Sequence, residues 1–238
     1  MPVWISPREG LPPASSADEE GLVAVGRDLS ADRLIEAYGK GIFPWYSAGQ
    51  PVLWWSLDPR MVVIPQDFSA SRTLRRRLRQ LAGAPAGTDW RVSLDTAFVS
   101  VIRACAASPR AGQRGTWITS DIMAAYVALH RRGLAHSVEV WSKDALIGGL
   151  YGVSLGRMFY GESMFARATD ASKCAFAALV DLLIRLEVPM IDCQQSTAHL
   201  RSLGGHEISR SAFVGEVDRL RRLPPPDWQS AQIAWPGA

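Results

Sequence analysis

The stretch Ile191-Asp192-Cys193-Gln194 reads as a short buried strand. Side chains alternate across a strand, so Asp192 and Gln194 share one face while Ile191 and Cys193 share the other. A carboxylate and an amide side by side at a strand end can hold and polarise a nucleophilic amine. The structural alternative is a capping Asp whose neighbour bonds to a loop. A second candidate is Tyr160-Gly161-Glu162-Ser163-Met164-Phe165, expected at the end of a hairpin strand just before a helix. There Gly161 allows close approach of a ligand or another backbone, and Glu162 offers a negative charge in an otherwise apolar setting, or else one half of a buried ion pair. Leu150, Phe159 and Met164 serve as core, or as an adaptable apolar slot, since Met and aromatic side chains together suit one. Trp45, Trp54, Trp55 and Trp117 fall in loops or at strand ends; an exposed indole there is a platform for stacking a nucleobase, although core packing is the default for most tryptophans.

Positioning these groups takes a mixed set of elements. Ser30 is a plausible N-cap for a helix starting at Ala31 and stopped by Gly39 or Gly41. Met61-Val62-Val63-Ile64 reads as a strand closed by Pro65. From Ser71 to Leu81, Leu74, Leu78 and Leu81 recur at helical spacing while Arg72, Arg75, Arg76, Arg77 and Arg79 cover the other faces. On so basic a helix the like charges repel, and a phosphate backbone relieves that by counterion release; a merely solvated face is the alternative. The pattern then predicts a loop over 84–88, a strand near Arg91 to Leu94, a helix from Asp95 to Ala107, a loop over 108–115 and a helix from about Ser120 to Arg132. Ser137 to Trp141, Ala145 to Val153 and Arg157 to Glu162 read as successive antiparallel strands. A long apolar helix follows from about Asp170 to Leu186, then the strand ending at Gln194, and two shorter helices near Thr197 to Leu203 and Ser209 to Arg222 before a Pro-rich tail. Residues 1–21 look like an extended lead-in. The fold class is α+β (mixed α/β), with a small N-terminal domain over 1–66 and a larger domain over 67–238.

Composition narrows the function. With 47% hydrophobic and 21% charged residues, 238 residues bury a sizeable core, so the chain is globular rather than disordered. A net charge of +3 neither demands nor opposes a local basic patch. Cys105, Cys174 and Cys193 are too few and scattered for a disulfide framework or a metal pair, which fits a reducing cytosol. No leader pattern and no run of about 20 apolar residues is seen, so a cytoplasmic protein is expected. His130, His136, His199 and His206 include no HExxH, and Cys193 to His199 lacks partners, so no metal is expected. GxxxxGK[ST] and GxGxxG are absent, which removes common nucleotide triphosphatases and dehydrogenases.

Taken together, Gly41-Ile42-Phe43-Pro44-Trp45, Trp54-Trp55-Ser56-Leu57-Asp58-Pro59-Arg60, Gly115-Thr116-Trp117-Ile118-Thr119, Gly148-Gly149-Leu150-Tyr151-Gly152-Val153, Gly161-Glu162-Ser163-Met164-Phe165, Ala171-Ser172-Lys173 and Ile191-Asp192-Cys193-Gln194 resemble the bacterial leucyl/phenylalanyl-tRNA–protein transferases. The segments occur in family order and cover the chain from Gly21 to about Leu223. The resemblance implies an N-end-rule aminoacyltransferase that moves Leu or Phe, and Met less readily, from aminoacyl-tRNA to proteins beginning with Arg or Lys, marking them for degradation. It also implies a second domain with the acyltransferase fold of Gcn5-related N-acetyltransferases (the GNAT fold). By position, Asp192 and Gln194 match the family's proposed catalytic pair and Glu162 its pocket glutamate. Trp45 and Trp117 match residues near the terminal adenosine, and Leu150, Phe159, Met164, Phe176, Leu179, Leu183 and Ile191 fall where the family builds its side-chain pocket. Positions 150, 179 and 183 are Leu where some members carry Met or Phe, and Leu57 replaces the Pro expected after Trp-Trp-Ser.

The chemistry is undemanding. An aminoacyl ester is already activated, so transfer needs no ATP, metal or cofactor, and a peptide amine with a pKa of about 8 is partly neutral at pH 7. Positioning is expected to supply much of the acceleration. Asp192, aligned through Gln194, accepts or relays the amine proton, or acts electrostatically while the ribose hydroxyl shuttles it; Glu162 helps hold the cationic terminus. Arg72, Arg75, Arg76 and Arg79 are the expected tRNA-phosphate contacts, and a monomer is expected. Two rival readings stand beside this one. An acetyl-CoA-dependent N-acetyltransferase needs a [QR]xxGx[GA] loop that is missing between Gly161 and Ala171, and a non-catalytic tRNA-binding module needs only the basic helix and the indoles.

Overall fold

The computed structural model describes residues 3–84, 90–108 and 116–237. The loops expected over 84–88 and 108–115 lie, apart from Ala84 and Ser108, outside the described residues. A four-stranded sheet comes first, built from β1 (Val3–Trp4), β2 (Leu22–Gly26), β3 (Phe43–Pro44) and β4 (Val52–Trp55) in the order β1-β2-β4-β3, with α1 (Ala31–Gly39) between β2 and β3. Ser30 caps α1 by accepting the Arg33 N–H, and the chain turns out through Gly41 at φ 74°. The lead-in is held down rather than loose. Val3 and Trp4 pair in parallel with β2, and the buried Arg33 guanidinium donates to the carbonyls of Pro7 and Glu9 at 3.2 and 2.7 Å.

The larger sheet has seven strands: β5 (Arg60–Val63), β6 (Trp90–Leu94), β7 (Ala135–Ser142), β8 (Ala145–Leu155), β9 (Met158–Ala166), β10 (Met190–Gln194) and β11 (His206–Ile208), in the order β11-β5-β10-β9-β8-β7-β6. The pair β9–β10 is parallel, linked by the helix α5 (Ala171–Arg185), and the others are antiparallel. Strand β5 hydrogen-bonds to both β10 and β11, so residues 60–63 pair within the larger sheet although they lie inside the 1–66 segment expected to form the first domain. Strand β11 carries no apolar alternation of its own and is not legible as a strand; it forms because β5 offers it an open edge.

Alternation along the strands sorts the core. Tyr151, Met158, Tyr160, Met190 and Val62 point into one apolar layer, shared with α1, α3 (Phe98–Ala107) and α4 (Ser120–Arg131). Leu150, Phe159, Ile191 and Val63 point into the other, shared with α2 (Arg72–Ala82) and α5. The sheet is therefore covered on both faces, a mixed α+β arrangement in three layers. Two short helices, α6 (Ala198–Arg201) and α7 (Arg210–Leu220), flank β11. The Pro-rich tail closes the second layer: Trp228 and Trp235 are buried in it, and the Trp228 indole stacks on His136 at 4.0 Å. Among the described residues, no helix is long and apolar enough to cross a membrane.

Two local expectations are corrected. Helix α3 begins at Phe98, not Asp95, because Asp95 spends its carboxylate sideways on the Ser137 N–H at 2.7 Å and on His136 at 2.7 Å. Glu139 of β7 serves the helix N-terminus instead, accepting the Ala97 N–H at 3.3 Å. Strand β9 also runs on to Ala166 rather than ending at Glu162. Its partner β8 pairs Tyr151 with Ser163 but Gly152 with Gly161, so Glu162 is the extra residue of a bulge. The bulge needs Gly152, whose missing Cβ would stand 2.4 Å from the Tyr160 carbonyl oxygen and 2.5 Å from the Phe159 ring. At Gly161 a Cβ would come no closer than 3.5 Å to the protein atoms around it, so no approach of another backbone requires that glycine. Gly152→Ala is expected to destabilise the protein by about 1–3 kcal/mol through overpacking, read by urea unfolding; an unchanged midpoint would contradict this packing.

Candidate functional site

A second bulge lies on the neighbouring strand. Strand β10 pairs Asp192 with Val62 and Gln194 with Met61, which leaves Cys193 as the extra residue and puts Gln194 at φ 53°. The parallel ladder between β9 and β10 ends at the Asp192–Tyr160 pair. Beyond it the two strands part, each bent by its own bulge. The gap opens as a cleft of about 300 Å³ lined by Phe43, Trp45, Trp117, Glu162, Met164 and Gln194, among others.

The bulges separate the two residues expected to act together. Gln194 faces the cleft, whereas Asp192 has no exposure at all. Its carboxylate is held by Arg60, the first residue of β5: Nε donates to Oδ1 at 2.8 Å and Nη2 to Oδ2 at 2.7 Å, with both side chains fully buried. The guanidinium is sandwiched between the Phe43 and Phe213 rings at 4.6 and 4.5 Å. What is left of the Asp192 carboxylate goes to Gln194, whose backbone N–H donates to Oδ1 at 2.9 Å and whose Nε2 donates to Oδ2 at 3.4 Å. The chain of contacts runs Arg60, Asp192, Gln194, cleft. An acid so enclosed and so paired can orient Gln194, and it has no opening through which to meet an amine.

Glu162 sits half-buried on the cleft wall. Its carboxyl group accepts from the Tyr38 hydroxyl of α1 at 2.6 Å and the Tyr126 hydroxyl of α4 at 2.8 Å. Burial pushes its pKa up to about 7, against the lowering effect of the two phenols and with a smaller upward push from Asp192. Both phenols are held well above their ordinary value, first by burial and then by the Glu162 charge, so they stay protonated donors. Cys193 also lines the cleft, and burial together with the Asp192 charge pushes its thiol up, so it remains neutral.

A second cavity of about 210 Å³ opens from the same strand ends, sharing Glu162, Ser163, Met164, Cys193 and Gln194 with the cleft. Leu150, Met164, Phe176 and Leu179 line it as expected from the sequence, with Thr197, His199 and Leu200 closing the other side. Phe159, Leu183 and Ile191, expected in the same slot, are fully buried in the core behind it and do not line it. On the opposite flank, Trp45 and Trp117 lead from the cleft into a wider cavity of about 860 Å³ that also touches Trp55, Thr116, Thr119 and Ser120. Trp54 is fully buried, so of the four indoles singled out it is core, and Trp55 stands edge-on to Trp45 at 6.1 Å.

The basic helix α2 lies against α5, the helix that supplies Phe176 and Leu179, with Phe68 edge-on to Phe176 at 5.8 Å. Leu74, Leu78 and Leu81 are buried, while Arg72, Arg75, Arg76 and Arg79 are exposed and, among the described residues, pair with no acid. Arg77 differs: its guanidinium lies over the Trp90 ring at 4.3 Å. Among the described residues no group of three or more His, Cys, Asp or Glu side chains is placed to hold a metal.

Arg60, Tyr38 and Tyr126 do not stand out in the sequence as site residues, yet each carries a signal there. Arg60 is a cation opening an otherwise apolar strand, and the two tyrosines fall on the buried stripes of α1 and α4, where a phenol hydroxyl needs a partner. Gln195 and Thr197, in the connection before α6, carry none, because a loop wall has no periodicity to read.

Known proteins resemble this chain closely. A family model described as leucyl/phenylalanyl-tRNA protein transferase matches residues 62–218, and the model of that transferase's N-terminal domain matches residues 27–58. The leucyl/phenylalanyl-tRNA–protein transferase of Paraburkholderia phytofirmans is 53% identical over 98% of this chain and 96% of its own. That of Cupriavidus metallidurans is 56% identical over 91% and 88%. Among solved structures, a conserved Bacteroides thetaiotaomicron protein aligns over 73% of this chain and 84% of its own at 10% identity with a TM-score of 0.44. A GCN5-related N-acetyltransferase from Kribbella flavida aligns over 74% and 60% at 7% identity with a TM-score of 0.35.

Removing one partner of the sealed ion pair leaves a buried charge uncompensated. Arg60→Met is therefore expected to cost about 3–5 kcal/mol of stability, most of it regained in Arg60→Met/Asp192→Leu, where both charges are gone. Urea unfolding reads both; a loss of less than about 1 kcal/mol for the single variant, the size of a surface pair, would contradict the burial described.

Proposed function

The chain belongs to the leucyl/phenylalanyl-tRNA–protein transferase family, an aminoacyltransferase family, and we propose that it moves Leu or Phe, and Met less readily, from aminoacyl-tRNA to the N-terminal Arg or Lys of a protein. The observation that carries this reading is the run of three connected spaces at the splayed strand ends. The apolar slot of about 210 Å³ suits one uncharged side chain. The cleft beside Gln194 suits the ester and its ribose, and the Trp45 and Trp117 side suits a stacked base. An aminoacyl-adenosine spanning them would bring its ester carbonyl to Gln194.

In the reaction proposed, the neutral amine attacks the ester carbonyl carbon. A C–N bond forms, the ester C–O bond breaks, and the ribose hydroxyl leaves with a proton that began on the amine. Gln194 orients the amine: its Nε2 is turned to Asp192, which leaves its Oε1 to accept an amine N–H. Asp192 works behind it as a positioning group, since it is sealed by Arg60. Leu150, Met164, Phe176 and Leu179 hold the transferred side chain; one methylene of misfit there is worth only about 1–3 kcal/mol, so substitutions shift the preference before they abolish transfer. Arg72, Arg75, Arg76 and Arg79 take the tRNA phosphates, reading charge and not sequence. The division into 1–66 and 67–238 is proposed as a small platform, carrying Trp45 and Trp55 and lending its last strand β5 to the larger sheet, and an acyltransferase body of the GNAT kind. The setting proposed is the cytoplasm, where charged tRNA and newly exposed N-termini meet, with the protein acting as a monomer that marks its substrates for degradation.

Two measurements test the reading. Leu-charged tRNA is expected to yield Leu joined to a peptide beginning with Arg, but not to the same peptide acetylated at its amine; binding of tRNA without transfer would overturn it. Replacing Arg75, Arg76 and Arg79 with Gln is expected to lower the salt slope of tRNA binding by about one unit for each phosphate left without its arginine; an unchanged slope would place the tRNA on another surface.

A further inference from the structure

Two buried phenols and the carboxyl group of Glu162 close a ring of oxygens behind the cleft wall, where Glu162 alone of the three lines the cleft. Tyr38 Oη lies 2.6 Å from Glu162 Oε1, Tyr126 Oη lies 2.8 Å from Glu162 Oε2, and the two phenol oxygens lie 2.5 Å from each other. All three separations are hydrogen-bond lengths, so each side of the triangle needs one proton. The phenols supply one each. With Glu162 ionised, both are given to the carboxylate, and the third side becomes two oxygens facing each other with lone pairs alone. A proton on Glu162 completes the count: every member then donates once and accepts once around the ring.

We propose that Tyr38 and Tyr126 are positioning residues that hold Glu162 as a neutral acid in a closed three-proton ring. Together with the Arg60–Asp192 pair, this leaves neither Glu162 nor Asp192 as a free anion in the resting cleft. The ring also fixes both carboxyl oxygens against α1 and α4, so Glu162 enters the cleft in one orientation. A cation that docks against it must first send that proton to solvent. Tyr38 comes from α1, Tyr126 from α4, Tyr151 from β8, and Cys193 and Asp192 from β10 with Arg60 of β5 behind it, while His199 of α6 shares the side-chain slot. Burial acts in the direction of the proposal, raising Glu162 to about 7; it also lowers His199, with a smaller push the same way from Lys173.

Glu162 has a folded pKa of about 7, above the ordinary 4.5, so the neutral form is the one the fold favours. Its contribution is complete below about 4.5 and is lost as pH rises to about 7. Glu162→Gln offers an N–H donor and a carbonyl acceptor in the same shape, closing the ring with nothing to titrate. Relative to that variant, the unfolding constant of the parent is expected to rise by up to about tenfold per pH unit across this window. A difference independent of pH, or one in which the parent gains on the variant as pH rises, would overturn the proposal. Infrared difference spectra supply a readout that does not depend on how well the variant folds. The parent is expected to show a protonated-carboxyl carbonyl band that disappears with a midpoint near 7 and is missing in Glu162→Gln; an ionised Glu162 throughout would overturn the proposal.

Discussion

The Arg60–Asp192 pair is a bidentate ion contact with no exposure to water, and it constrains nearly everything around it. Arg60 begins the strand that brings the N-terminal segment into the larger sheet, and Asp192 ends the regular part of the strand that reaches the cleft. Burying two charges costs more than most packing returns unless geometry is good and the remaining lone pairs are met. Here the two charges share two hydrogen bonds, Phe43 and Phe213 cover the guanidinium faces, and the backbone and side chain of Gln194 take up the rest of the carboxylate, while Arg60 Nη1 is left buried without a hydrogen-bond partner. Gln194 sits in a left-handed backbone conformation that a side chain rarely adopts, and the Asp192 acceptor is what holds it there.

The cleft follows from this anchorage. A parallel pair in mid-sheet would normally stay paired along its length, leaving no room for a ligand. Bulges at Glu162 on one strand and at Cys193 on the other end the ladder at the same level and turn Glu162, Met164 and Gln194 toward the gap. The two covering layers then set the character of its ends. Helix α5 supplies Phe176 and Leu179 to the apolar slot, and the small sheet supplies Trp55 to the aromatic side, with Trp45 just past the end of β3. Polar chemistry is thus confined to a short rim between a greasy recess and an indole wall, the division that a ligand with an apolar side chain at one end and a base at the other would need.

Much of this is legible in the sequence, and the misses have physical causes. The helices with strong caps and clean stripes, α1 at Ser30 and α2 at Ser71, fall where periodicity puts them. Of the residues singled out by the family resemblance, Leu150, Met164, Phe176 and Leu179 line one cavity, and Trp45 and Trp117 line the cleft beside it. Strand alternation, however, predicts that Asp192 and Gln194 share a face, and a bulge breaks that rule without leaving a mark in the sequence. The start of α3 escapes a local reading because its N-terminus is served by Glu139, a residue over forty positions away in the chain. Phe159, Leu183 and Ile191 look like the slot residues by type, and only the packing against Trp228 and α5 shows that they stand behind it. The role of Arg60 depends on a partner 132 residues away, a distance over which no local pattern speaks.

The central claim is that Asp192 acts on the reaction through Gln194 and not by meeting the amine itself. A double-mutant cycle on single-turnover transfer from Leu-charged tRNA tests it most directly, using Asp192→Asn, which keeps an acceptor for Arg60, Gln194→Ala, and the two combined. The combined variant is expected to be no slower than Gln194→Ala alone, because the Asp192 substitution then has nothing left to act through. Losses that multiply, with the double variant slower than either single one by the product of their separate effects, would contradict it.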